Sequence, residues 1–167
     1  MKLIWTKSNL VLSNIIRWGL ETDCSHFALV FNSPAGGLMF ESNLMGTHPK
    51  FFRNAQKSFE IVHLIELNLP IEIEDRIWDR IVDKYDSRDY DYPGFFYFAW
   101  RGLLKKVFKI PFPKKNKWAK DNAFLCDEVY KCLIEENIVP DLNIDLAITP
   151  PHEIYEKLSE YLRNKNG

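Results

Sequence analysis

The stretch HFALVFN-SPAGG-LMFESN, residues 26–43, narrows the available folds more than any other part of the chain. Two runs of β-branched, aromatic and aliphatic residues flank a Ser-Pro-Gly turn, which is the pattern of a β-hairpin. A hairpin requires antiparallel pairing, and the alternation of side chains then fixes which residues share a face. With Asn32 opposite Gly37, Glu41 falls opposite Ala28 and diagonal to His26 on the same side of the sheet. A slip of one residue would send Glu41 to the other face. Asn43 has the same parity as Glu41, so either residue could orient the imidazole of His26.

The remaining chain mixes strand and helix periods. KLIW reads as a short strand, and Ser13 with NIIRWGL as a capped short helix closed by Gly19. FEIVHLIELNL is a further strand, apolar enough to be buried on both faces. Pro70 leads into a helix over about 72–85, with Ile73, Ile77, Trp78 and Ile81 at helical spacing. SRDYDYPG is a turn-rich break, 95–110 a second helix, and PFPKKNK a loop. ITPPHEIYEKLSEYLR closes the sequence as a helix with Thr149 as N-cap and prolines in its first turn. Strands and helices without regular alternation predict an α+β fold built on an antiparallel sheet. The 167 residues are 46% hydrophobic and contain no linker or repeat, so a single domain over 1–167 is expected, with a basic helical insert around 95–120.

The balance of 22 Lys and Arg against 23 Asp and Glu removes any global attraction to nucleic acid or anionic membrane and leaves only local patches. No specific nucleic-acid partner is expected. Three cysteines, Cys24, Cys126 and Cys132, do not make a disulfide framework, and MKLIWTKSNL has no signal-peptide character. A reducing, cytoplasmic setting is the expectation. The most apolar stretch, YPGFFYFAWRGLL, is interrupted by an arginine and falls short of the roughly 20 residues that cross a bilayer.

NAFLCDEVYKCL reads as the opening of an amphipathic helix over about 122–137. Leu125, Val129, Cys132 and Leu133 form its core stripe, and Cys126 sits at the stripe's edge near the positive end of the helix dipole. The commonplace role of such a cysteine is that of a small buried residue. A nucleophile needs a base, and the base needs a third group to orient it. His48 falls in the loop GTHPK, His63 in an apolar strand, and His152 at the start of the last helix. His26 differs in facing a carboxylate on the neighbouring strand. Cys24-x-His26 could instead supply two metal ligands, but no second pair with ligand spacing appears.

LSNIIRWGLETDCSHFALVF resembles the start of the circularly permuted NlpC-type papain-like proteins, in which a short helix precedes Ser-His and a hydrophobic strand. The order agrees: histidine strand first, a polar residue on the next strand, and the cysteine late, as in FLCDEV. YDYPG before that cysteine and ITPPHEIYE after it are also similar. The resemblance implies a cysteine peptidase or amidase in which Cys126 is the nucleophile, His26 the general base and Glu41 the orienting residue. Backbone N–H groups at the start of the cysteine helix would hold the oxyanion, and no cofactor or metal is implied. The bond cleaved would be an amide, of a peptidoglycan-type peptide for example, or an ester or thioester. Two other uses of the same shell are an inactive binding module and a lipid acyltransferase or phospholipase of the lecithin retinol acyltransferase type.

From Arg101 to Lys120 the chain carries eight basic residues and no acidic one, with Phe108, Phe112 and Trp118 interleaved. Trp100, Leu103, Leu104, Val107 and Phe108 recur at helical spacing. The plain expectation is a helix that packs its apolar side on the core and solvates its lysines. The sharper uses are a membrane-surface helix, or a cationic rim that guides an anionic polymer toward the cysteine.

Overall fold

The computed structural model describes residues 1–32, 37–111, 123–124, 126, 129–146 and 148–166; Phe98, Arg101, Ala123, Phe124 and Asn166 are described by their backbone alone. Strands β1 (Lys2–Lys7), β2 (His26–Phe31), β3 (Leu38–Asn43), β4 (Gly46–Phe51) and β5 (Glu60–Glu66) form one antiparallel sheet in the order β4-β3-β2-β1-β5. A second, parallel pair joins β6 (Asp89–Tyr90) to β7 (Ala123–Phe124). Helices α1 (Val11–Leu20), α2 (Phe52–Ala55), α3 (Ile71–Tyr85), α4 (Tyr92–Phe108), α5 (Val129–Glu135) and α6 (Pro151–Asn166) complete the described elements, with a 3₁₀ turn at Gln56–Ser58. The class is α+β, as the irregular mixture of periods predicts.

The two faces of the sheet are covered unequally. On one face Leu3, Trp5, Phe27, Leu29 and Phe40 meet Ile77 and Ile81 of α3, Tyr130 and Leu133 of α5, and Ile154 and Leu158 of α6. Rings interlock there, with Trp5 against Phe27 at 5.0 Å and Phe27 against Tyr130 at 6.2 Å between centroids. The opposite face carries only a thin cover, in which Ile4, Ala28, Val30 and Met39 lie under Ala55, Phe52 and Phe59. That cover stops short of the first residue of β2, leaving the end of the strand open as a cleft.

The doubly buried strands are the three inner ones, β3, β2 and β1, where Leu3, Ile4, Trp5, Phe27, Ala28, Leu29, Met39 and Phe40 are fully buried. β5 is an edge strand instead of the doubly buried one its apolar run suggests, and it leaves Leu64 45% exposed. The segment GTHPK, which reads as a loop, belongs to the opposite edge strand β4. An edge tolerates its proline, because Pro49 faces Phe40 without having to donate to a further strand. Gly46 opens β4 at φ +99°, where a Cβ would stand 2.5 Å from the Arg88 carbonyl oxygen, so only glycine fits this approach.

Three helix boundaries differ from expectation. Ser13 is no N-cap: α1 starts after Leu10, and Ser13 lies buried within it. The helix ends not at Gly19 but with Glu21 in the left-handed region, whose N–H reaches the Arg17 carbonyl. Thr149 does not cap α6 either, since its hydroxyl donates back to the Asp145 carbonyl at 2.8 Å.

Candidate active site

The hairpin has the register its turn predicts, Ala28 opposite Glu41, so the side chains of His26 and Glu41 share the thinly covered face. His26 Nε2 lies 2.9 Å from Glu41 Oε2. Glu41 is 3% exposed, and its second oxygen accepts from Asn43 Nδ2 at 2.5 Å and pairs with Lys50 Nζ. Burial pushes this carboxyl up, but the His26 hydrogen bond and charge, together with Lys50, outweigh burial and bring it from an ordinary 4.5 down to about 2. Glu41 is therefore ionised throughout the range in which proteins work. An ionised carboxylate only accepts, so the His26 Nε2–H donates to it, and Nδ1 is left as the nitrogen able to take a proton.

Asn43 therefore sits behind Glu41 and holds the carboxylate, while Glu41 itself meets the ring. Lys50 is a site residue that sequence reasoning missed. Read as a strand, GTHPKF places Lys50 diagonal to Glu41, with His48 directly opposite. The signal was lost when the proline suggested a loop.

Several contacts fix the start of β2. Ser13 Oγ on α1 lies 2.6 Å from Ser25 Oγ, and the Ser25 N–H donates to the Thr6 carbonyl at 2.9 Å. The buried position of Ser13 thus ties α1 to the residue beside His26. Cys24 is fully buried in the larger core whereas His26 lines the cleft, so the two do not face a common metal site. His63 pairs with Asp23 at 2.9 Å and stacks on Tyr155 at 4.0 Å, away from the site residues.

The cleft, about 270 Å³, holds His26, Glu41, Asn43 and Lys50 at one side and Tyr90 and Phe95 at another. Tyr90 owes its place to β4. The Thr47 N–H donates to the Arg88 carbonyl at 2.9 Å, the Ser87 N–H donates to the Thr47 carbonyl at 3.0 Å, and β6 follows directly. Asp91, fully buried, then starts α4 by accepting from the Gly94 N–H at 2.9 Å.

β7 pairs with β6, Phe124 lying opposite Tyr90, and both short strands lie against β4. Cys126 comes two residues after Phe124 in sequence and is 8% exposed. At Ala123 and Phe124 a strand stands where a helix was expected, because pairing with Asp89–Tyr90 overrides the helical pattern there; 122, 125, 127 and 128 lie outside the described residues. α5 is described over Val129–Glu135. The backbone at Cys126 is 3₁₀ instead of α-helical. Val129, Cys132 and Leu133 are buried as the stripe predicts; Leu125 lies outside the described residues. Burial, foremost, pushes the Cys132 thiol up to about 12, which keeps it protonated and inert.

No family model matches this chain, and no curated protein matches it. Among the described residues no helix is long and apolar enough to cross a membrane.

Proposed function

We propose that the chain is a thiol-dependent hydrolase of the papain-like kind, with Cys126 as nucleophile, His26 as general base and Glu41 as the residue that orients the imidazole. The observation that carries this reading is the hydrogen bond between His26 and a buried carboxylate, in a cleft bordered by the strand pair that leads to Cys126. A surface ion pair would not need three donors around one acid. Here His26, Asn43 and Lys50 all converge on Glu41, an arrangement that fixes one ring orientation.

In this mechanism His26 Nδ1 takes the proton of Cys126, and the thiolate attacks the carbonyl carbon of the substrate. The tetrahedral intermediate collapses as the imidazolium gives its proton to the leaving amine or alkoxide. A thioester between Cys126 and the acyl group remains. Water, deprotonated by His26, attacks that thioester, releases the acid and returns the thiol. Glu41 keeps its charge throughout and offsets that of the imidazolium. The substrate is an amide, ester or thioester, and a short peptide of the peptidoglycan type is the first class to test. The experiment is intact-mass spectrometry after incubation with such peptides and with lipid esters side by side. The acyl mass should appear on Cys126 and be absent in Cys126→Ser; a full panel with no adduct and no turnover would remove the proposal.

A further inference from the structure

Helix α4 leaves much of its apolar side in solvent. Phe96, Trp100 and Phe108 are 60%, 52% and 64% exposed, and across from them α1 leaves Val11, Ile15 and Trp18 74%, 49% and 52% exposed. The helices lie against each other where Gly19 meets Gly102. A Cβ on Gly102 would come within 3.2 Å of the end of the Leu20 side chain and 3.5 Å of the Gly19 backbone, and one on Gly19 within 3.8 Å of Gly102, so the two backbones run close together there. This approach joins the two apolar stripes into one surface, with Ile15, Trp18, Phe96 and Trp100 lining a shallow groove of about 250 Å³ between them.

Charge is segregated onto the same surface. Neither helix contains Asp or Glu, whereas the described side chains include Arg17, Lys105 and Lys106, and Lys109 caps α4. The whole chain has a net charge of −1, so this is local sorting and not a basic composition. The acids at its border are Glu21, bonded to Lys106 Nζ at 2.5 Å, and Glu153, which shares a recess with Lys105. Lys106 also stands 5.7 Å over the ring of Trp18, beside the apolar groove. Tryptophan and phenylalanine on an apolar face with lysines at its rim suit a bilayer interface, where the rings settle at headgroup depth and the ammonium groups meet lipid phosphates.

We infer that the α1–α4 face docks on the surface of an anionic lipid bilayer, with both helices lying in the plane of the interface. The face also adjoins the cleft. α1 sends Leu12 and Ile16 to the His26 cleft and Ile15 and Trp18 to the groove, and α4 divides Phe95 and Phe96 in the same way. Docking therefore holds the cleft beside the membrane, and it needs none of the chemistry of Cys126.

The test is co-sedimentation of the full chain with extruded vesicles of phosphatidylcholine, with and without phosphatidylglycerol. Binding should appear with the anionic vesicles and weaken as salt rises. Trp18→Asp with Trp100→Asp should lower the partition coefficient by at least about tenfold, as expected for withdrawing two aromatic side chains from an interface, while circular dichroism and urea unfolding stay unchanged. Lys105→Glu with Lys109→Glu should weaken binding to anionic vesicles only, and Cys126→Ser should bind like the wild type. Absence of binding at low salt would overturn the inference. So would binding that the tryptophan variants leave intact, or a wild-type dimer in analytical ultracentrifugation that the tryptophan variants dissociate, since a second copy would then cover the face.

Discussion

Glu41→Gln keeps the size of the side chain and an oxygen acceptor for His26, but removes the charge that His26 and Lys50 share. The fall of the Glu41 pKa from an ordinary 4.5 to about 2 corresponds to about 3 kcal/mol of folding stability, at about 1.4 kcal/mol per pH unit. A carboxyl whose folded value is depressed contributes fully above its unfolded value and loses that contribution as pH falls through the folded one. Between pH 4.5 and about 2, then, this group alone takes about 3 kcal/mol from the wild type. The variant has no such loss. It starts lower at neutral pH by up to the same amount, because His26 and Lys50 keep their places without a counter-charge. Urea unfolding followed by circular dichroism at a series of pH values from neutral down to about 3 reads both effects. Equal stability at neutral pH and parallel acid limbs in the two proteins would refute the electrostatic account of the site.

Lys50→Met removes one of the two cationic partners of Glu41, so the acid limb of the same titration should become shallower than in the wild type but remain steeper than in Glu41→Gln. Asp91→Ala removes a fully buried N-cap, and should cost about 1–2 kcal/mol in urea unfolding; no change would mean that another group satisfies the Gly94 N–H. Gly46→Ala combines a φ of +99° with a 2.5 Å approach to the Arg88 carbonyl, and should cost more than about 1 kcal/mol. Because Arg88 leads into β6, that variant should also slow alkylation of Cys126, a rate measured by peptide mass spectrometry.

The hairpin was legible because its two apolar strands flank a turn whose residues set the register, and a slip of one residue would have sent Glu41 to the other face. The turn put Glu41 diagonal to His26 but left Asn43 of the same parity as an alternative, which only the structure decides, with Glu41 meeting the ring and Asn43 holding the carboxylate. β4 was not legible, since a glycine, a histidine, a proline and a lysine in six residues look like a loop until Phe40 and Glu41 are available to pair with them. Lys50 was missed for the same reason. β5 misled in the opposite sense: its apolar run matches a central strand, but the sheet ends there and its outer residues face solvent. The strand at Ala123 and Phe124 depends on a partner more than thirty residues away in sequence, a tertiary effect that no local pattern there encodes. The apolar side of α4 was correctly grouped by its spacing, but spacing cannot say whether such a stripe meets the core or the solvent.

The central claim is that His26 activates Cys126, and the rate of alkylation of that thiol by iodoacetamide measures it directly. At pH 6 Cys126 should react at least about tenfold faster in the wild type than in His26→Ala, and the two rates should converge near pH 9, where an unassisted thiol is ionised. Cys132, held protonated by burial, should stay unlabelled in both. Equal Cys126 rates at pH 6 in the two proteins would contradict the account.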